Sequence, residues 1–181
     1  MRPLQQCAWL LWLLFCGPIV QKKRIGVGIA RLCLLLVMVF ASGAAHACSA
    51  WPQPTLPIAR LAIVTGGERI QLTVEVAGTE DQRNCGLMGR PRLLDGTGML
   101  FDMRPAGPAF FWMKNTPETL DLIFLAADGR AVHLVRNAKP FSETSVGTNQ
   151  PVAAVLELAA GEADRLGITL GSMARLPWRK R

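Results

Sequence analysis

Alternating apolar and polar side chains mark the start of the folded part of the chain. Four apolar residues within 70–76 alternate with polar ones, which is the two-residue period of a β-strand with one buried face. A short apolar run lies just before it at 61–65, and Gly66-Gly67 between the two runs is strong turn chemistry. The pattern therefore predicts a β-hairpin.

The period then changes to that of a helix. Thr79 followed three residues later by Gln82 is an N-terminal capping signature, and we expect a helix from there to about Met88. A second short helix is predicted over 159–166, where Gly167 follows at the position of a left-handed C-terminal residue. Neither helix is long enough for the crossovers of a doubly wound parallel sheet.

The remaining apolar runs are short and are separated by turn residues. We expect a Pro/Gly turn at 104–108, a hairpin turn at Asp128-Gly129 and a loop over 137–151. The further predicted strands lie at 99–101, 109–113, 120–126, 130–135, 152–158 and 168–176. This order predicts an α+β fold, in which a β-rich single domain has a curved, mostly antiparallel sheet or a partly open barrel with two short helices.

Residues 1–47 have the composition of a targeting segment. A basic region, Lys22–Arg31, precedes the ten-residue apolar run Leu32–Ala41 and the small-residue sequence at 45–47. These are the three parts of a secretory signal peptide in their usual order. We therefore expect cleavage after Ala47 and a mature chain that begins with Cys48.

Other interpretations of this segment remain open. Ile25–Ala45 could serve as an uncleaved anchor if Arg31 extends to the membrane interface. Lipidation of Cys48 and a true start downstream of residues 1–19 are further alternatives. A signal and an anchor both place the domain outside the cytoplasm. We expect an exported protein of the periplasm or cell envelope, which contacts the membrane only through an uncleaved N-terminal segment.

Charge depends on which part of the chain is counted. The 181 residues include 20 Lys and Arg against 13 Asp and Glu, a net charge of +7. Residues 1–47 hold five of the basic residues and no acid, so residues 48–181 have a net charge of only +2. Nucleic-acid binding needs a strongly basic surface, and we expect none. The predicted divisions are a Pro-rich linker at 48–60, the domain at 61–176 and a basic tail at 177–181.

Two cysteines lie beyond residue 47. An oxidising compartment permits a bridge between Cys48 and Cys85. We favour the simpler alternative, an unpaired Cys85 and a flexible terminal Cys48. Two cysteines without clustered histidines cannot form a structural zinc site, and we expect neither a metal site nor a cofactor.

The most unusual segment changes abruptly from aromatic to polar. Phe110, Phe111 and Trp112 lead into Lys114 and Asn115, and a carboxylate, Asp121, then lies inside an otherwise apolar run. Since an unpartnered buried carboxylate is costly, we expect the ammonium, the amide or the turn backbone just before it to bind Asp121. This network could serve only to hold the turn, or it could form a polar pocket with the tryptophan as a wall.

Several strings of residues resemble the family called domain of unknown function 192. The resemblance covers about residues 60–176 and implies a compact, β-rich α+β domain, an N-terminal export or anchor segment in many members, and no established activity. The strings are Cys85-Gly86-Leu87-Met88-Gly89-Arg90, Gly98-Met99-Leu100-Phe101, Phe111-Trp112-Met113-Lys114-Asn115-Thr116, Leu120-Asp121-Leu122-Ile123-Phe124, Asp128-Gly129-Arg130, Val155-Leu156-Glu157-Leu158, Ala160-Gly161 and Leu166-Gly167-Ile168.

Our leading hypothesis is an exported, non-enzymatic module that binds a small ligand or an envelope protein. An apolar wall with a few polar groups is typical of ligand sites. The candidate binding residues are Arg90, Trp112, Lys114, Asn115 and Asp121.

Two alternatives come from other functional classes. An envelope hydrolase could use Lys114 and Asp121 as an acid/base pair. A soft-metal protein could bind copper through thioether ligands. The methionines available for that are Met88, Met99, Met103 and Met113.

Overall fold

The computed structural model of the protein describes residue 48 and residues 53–178, which fold into seven strands and two short helices. The expected targeting segment 1–47 and the end of the basic tail lie outside the described residues. The strands are β1 (Ile58–Thr65), β2 (Glu68–Ala77), β3 (Thr97–Phe111), β4 (Leu120–Leu125), β5 (Ala131–Ala138), β6 (Val146–Ala159) and β7 (Met173–Arg175). The helices are α1 (Glu80–Cys85) and α2 (Glu162–Arg165).

Local sequence signals are confirmed at the first hairpin and helix. β1 and β2 pair antiparallel through the Gly66-Gly67 turn. The Gln82 backbone N–H donates to Thr79 Oγ1 at 3.2 Å, and the Thr79 N–H donates to Gln82 Oε1 at 3.0 Å, completing the capping box. The helix is shorter than predicted, because the chain turns at Gly86 with a positive φ of 47°.

All seven strands belong to one sheet, in the order β5-β4-β6-β3-β2-β1-β7. Only β2 and β3 are parallel, and α1 lies in the connection between them. The sheet curls into a half-barrel, which brings β7 against the residues just before β5. There the Ala174 N–H donates to the Gly129 carbonyl at 2.8 Å. The α+β fold class with a curved sheet and two short helices is thus confirmed.

Long-range pairing changes several predicted boundaries. The expected turn at 104–108 is wrong, since β3 runs through it and pairs with β6 on both sides. Irregular register between Asp102 and Ala109 accommodates the two prolines, which cannot donate to a ladder. The expected loop at 137–151 is likewise wrong at its end, because β6 already begins at Val146.

The last elements are shorter than the sequence indicates. α2 covers only 162–165, and the strand expected at 168–176 is reduced to β7. Gly167 does have a positive φ of 66°, as predicted. None of the helices in the described ranges is long and apolar enough to cross a membrane.

Apolar residues cover both faces of the central strands. All six residues of β4 are buried, which explains why five of them are apolar. Along β6, Leu156 and Leu158 belong to one core cluster, whereas Val155 belongs to a second cluster on the opposite face. This second cluster includes Met99 and Phe101 of β3, and Phe101 also lines a cavity at the C-terminal end of α1.

Candidate ligand-binding cavity

A cavity of about 590 Å³ lies between the C-terminal end of α1, strand β3 and the segment 112–116. Its lining includes aromatic rings, two cations and one carboxyl group beside aliphatic and small polar residues. The charged and aromatic residues of the lining include Arg83, Phe101, Phe111, Trp112, Lys114 and Glu157.

The carboxyl group belongs to Glu157 near the C-terminal end of β6. Its side chain lies on the Val155 face, because residues two apart along a strand share a face. Its cross-strand neighbours are Met99 on β3 and Leu122 on β4, both fully buried. Close approach of β3 fixes the backbone here, since a Cβ on Gly98 would lie 2.4 Å from the Glu157 carbonyl oxygen.

Glu157 is only 4% exposed, and burial alone perturbs its carboxyl group, which has no hydrogen-bond or ion-pair partner within the described residues. Burial raises the pKa of its carboxyl group from 4.5 to about 8, because the apolar surroundings disfavour the charged form. The group is therefore mainly a neutral carboxylic acid at pH 7. In that form it can donate one hydrogen bond into the cavity.

Aromatic rings packed edge to face form the wall. The Phe101 and Phe111 ring centroids are 5.0 Å apart, and Phe111 also meets Phe124 at 6.1 Å. Trp112 continues the wall toward solvent and is about half exposed. Lys114 Nζ lies 5.0 Å from the centre of the Trp112 ring, within reach of a cation–π contact.

Arg83 of α1 contributes the second cation. Its Nη1 donates to the carbonyl oxygens of Gly78 at 2.9 Å and Asp102 at 3.2 Å. These two bonds fix the guanidinium, while Nε and Nη2 have no hydrogen-bond partner in the described part of the chain. Arg83 was not among the predicted site residues.

A disulfide borders the same cavity. Cys48 and Cys85 are bridged across a sequence separation of 37, with their Cα atoms 4.6 Å apart. The favoured expectation of an unpaired Cys85 is therefore wrong. Gln53 Nε2 also donates to the Gly86 carbonyl at 2.6 Å, so side-chain and covalent contacts both fasten the start of the domain to the end of α1.

Asp121 lies outside the cavity and has an architectural role. It is 1% exposed, and its Oδ2 accepts from the backbone N–H groups of Gly161 at 2.9 Å and Ala163 at 3.2 Å. Its Oδ1 accepts from the Asn137 N–H at 3.0 Å. The expectation that Lys114 or the neighbouring amide binds Asp121 is wrong. Asp121 instead caps α2, whose first residue is preceded by a glycine without a capping side chain.

Arg90 is also separate from the cavity. Its Nη1 and Nη2 donate to the two carboxylate oxygens of Glu75 at 3.0 and 2.9 Å, and Nη2 also donates to the Pro54 carbonyl at 2.8 Å. These bonds hold the segment before β1 against β2. Of the five predicted site residues, the structure brings Trp112, Lys114 and Asn115 to the cavity.

The methionines considered for copper binding divide between the core and the cavity. Met99 and Met113 are buried in the core, whereas Met88 and Met103 line the cavity. His133 packs against Phe124 with ring centroids 5.2 Å apart. Within the described residues no group of three or more histidine, cysteine or acidic side chains is placed to hold a metal ion.

Comparison with known proteins identifies the family. The sequence profile of the family described as "Uncharacterized ACR", domain of unknown function 192, matches residues 62–176. The chain belongs to this family, as its motifs indicate. A search of curated proteins found no match.

Two crystal structures are similar to the chain. A proposed transcription regulator from Sinorhizobium meliloti 1021 is 40% identical with a TM-score of 0.66, over 68% of this chain and 96% of that one. A protein of unknown function from Novosphingobium aromaticivorans DSM 12444 is 37% identical with a TM-score of 0.66, over 69% of this chain and 89% of that one.

Proposed function

We propose that this member of the family is a binding protein whose cavity takes a small organic ligand with an apolar body. The observation that carries the proposal is Glu157, a buried carboxyl group that borders a cavity of about 590 Å³ and has no partner among the residues that the structure describes. A buried polar group without a partner destabilises a fold, and such groups are concentrated at functional sites.

The rest of the cavity agrees with this role. Its volume is within the usual range for small-molecule sites, and rings with a few polar groups are their usual lining. The edge-to-face contacts around Phe111 fix the rings of the wall relative to one another, which lowers the entropic cost of binding.

We also propose that the domain acts outside the cytoplasm. The signal-like segment 1–47 supports export, and the bridge between Cys48 and Cys85 fits an oxidising compartment. The charge of this chain does not favour a role as a transcription regulator, the name given to the Sinorhizobium protein. Residues 48–181 have a net charge of only +2, whereas DNA binding relies on a strongly basic surface.

A neutral ring compound, 3-phenylpropanol, tests binding at the cavity. We expect NMR titration to shift the Trp112 indole N–H and the amides of β6 around Glu157. Met103→Trp fills the cavity from its lining and should abolish these shifts. Met173→Trp on β7, outside the cavity, is the matched control and should leave them intact. Equal binding by both variants, or shifts scattered over the surface, would contradict the proposal.

A second candidate is an enzyme that uses Glu157 as a general acid. A carboxyl group with a pKa of about 8 keeps its proton at neutral pH, as a general acid must. The predicted Lys114–Asp121 pair is not available for such chemistry, and no other carboxyl group in the described residues lines the cavity. Hydrolysis by water of an alkyl acetal, whose alcohol leaving group needs a proton from a general acid, would favour this candidate over simple binding if Glu157→Gln abolished it.

A further inference from the structure

We infer that the cavity selects an organic anion, in which a carboxylate or similar group is attached to an apolar ring or chain. This inference rests on the proposed binding function and adds the charge of the ligand. It follows from the charges that line the cavity, from the unused donors of Arg83 and from the position of Lys114 against Trp112.

The charges on the lining are of one sign. Arg83 and Lys114 are cations, and Glu157 is the only carboxyl group among the described lining residues. Since it is buried and has no partner in the described ranges, that carboxyl group is mainly neutral at pH 7. The two positive charges are therefore not balanced within the cavity. In a partly dry site this potential attracts an anion and repels an amine.

The guanidinium of Arg83 is oriented to bind an anionic ligand. Its bonds to the Gly78 and Asp102 carbonyls orient the guanidinium, and the remaining N–H groups can form the paired contacts that carboxylates prefer. The carboxylate of Asp102 is the nearest competitor. Arg104 already binds it through two bonds of 2.8 and 2.6 Å, so the Asp102 carboxylate pairs mainly with Arg104 and its charge interaction with Arg83 is the weaker one.

Lys114 links the charged and apolar parts of the site. Its ammonium lies over the Trp112 ring, so a ligand ring packed beside Trp112 places its anionic group near Lys114. The aromatic wall around Phe111 then contacts the apolar body. A ligand with an apolar ring and an anionic group thereby contacts both the aromatic wall and the cations of the cavity.

The neutral form of Glu157 is required for this selectivity. Apolar residues face it from the adjoining strands, namely Met99 and Leu122, and the charged groups across the cavity are Arg83 and Lys114. Ionisation of Glu157 would add a negative charge beside the anion. Affinity for an anion should therefore fall as the pH rises through about 8.

Three probes with the same ring and chain test the inference by calorimetry on the full chain. They are 3-phenylpropionate, 3-phenylpropanol and 3-phenylpropylamine. At pH 6.5 we expect the propionate to bind at least about tenfold more tightly than the alcohol, with the amine weakest. Lys114→Met and Arg83→Met should each lower propionate affinity more than alcohol affinity, and Arg69→Met on the exposed part of β2 should change neither.

Glu157→Gln supplies the second readout. Glutamine still donates a hydrogen bond but does not ionise. The variant should therefore bind the propionate equally at pH 6.5 and at pH 9. The affinity of the wild type should fall several-fold over the same interval. Equal affinity for all three probes would overturn the charge selection but leave cavity binding standing. Tighter binding of the amine would also overturn it. Failure of every probe, the alcohol included, would contradict the proposed function itself.

Discussion

Two buried carboxyl groups in adjacent strands have opposite surroundings. Asp121 on β4 accepts three backbone N–H donors, whereas Glu157 on β6 has none among the described residues. Backbone donors stabilise a carboxylate at a fixed position and make it part of the architecture. Glu157, which has no such donors, borders the cavity, and the binding proposal depends on it.

Replacing Glu157 by glutamine should change how stability depends on pH. The folded-state pKa is raised to about 8 from 4.5, so the unfolded chain binds fewer protons between these values and wild-type stability falls across this interval. The full loss of stability that ionised Glu157 causes, of the order of 5 kcal/mol, is present only above the pKa of the folded state. Melting temperatures should agree at pH 4.5, and Glu157→Gln should be the more stable protein at pH 9. Exposed Glu143→Gln, the control, should follow wild type throughout.

Asp121→Ala should destabilise the fold at all pH values near neutrality. It leaves the N–H groups of Asn137, Gly161 and Ala163 without their acceptor, at a cost of roughly 3 kcal/mol or more. Urea unfolding measures the loss. Exposed Glu143→Ala should change stability by less than about 0.5 kcal/mol. A loss of cavity binding in Asp121→Ala without a loss of stability would show that Asp121 has the ligand role first expected from the sequence.

At the scale of elements, the sequence predicts what local signals determine. The Gly66-Gly67 hairpin and the capping box of Thr79 form within a few residues, and both are confirmed. The continuous course of β3 could not be predicted, because its prolines indicate a turn locally and only pairing with the distant β6 keeps the strand extended. The residues of the cavity likewise divide into those that local sequence predicts and those that it does not. Trp112, Lys114 and Asn115 are neighbours in the chain, whereas Glu157 and Arg83 reach the cavity through tertiary pairing.

One sequence signal for Glu157 was nevertheless available. It is a single charged residue within an apolar strand, as Asp121 is, and the same physical argument applies to both. Sequence alone does not show which of the two finds backbone donors. That depends on the position of α2, whose N–H groups reach β4.

The disulfide should stabilise the contact between the start of the domain and α1. Closing a loop across 37 positions is worth about 3–4 kcal/mol by restriction of the unfolded chain. We expect Cys48→Ser, or reduction of the wild type, to lower stability by up to this amount and to weaken hydrogen-exchange protection at the Gly86 amide. Dithiothreitol should have no further effect on Cys48→Ser. Equal stability of oxidised and reduced wild type would contradict this prediction.

At the scale of the whole molecule, one close backbone contact closes the curl of the sheet. Gly129 has a φ of 90°, and a Cβ there would lie 2.0 Å from the Ala174 carbonyl oxygen. Only glycine fits this contact, through which β7 meets the start of β5. The half-barrel and the core cluster that contains Ala174 and Leu156 therefore depend on this position.

Gly129→Ala should destabilise the molecule by at least about 2 kcal/mol, since it adds both a clash with backbone and an unfavourable φ. Gly107→Ala is the matched control, because its Cβ would have no atom within 4 Å. Thermal unfolding should separate the two variants clearly. Identical melting temperatures would show that the sheet does not need this contact.

The ionisation of Glu157 inside the half-barrel is the property on which the binding account depends. Carbon-13 NMR of its side-chain carboxyl carbon, assigned by comparison with Glu157→Gln, measures it directly. We expect a midpoint near pH 8 that moves higher when 3-phenylpropionate is added, because the anion favours the protonated form. A midpoint near 4.5, or one that the propionate leaves unchanged, would contradict the account.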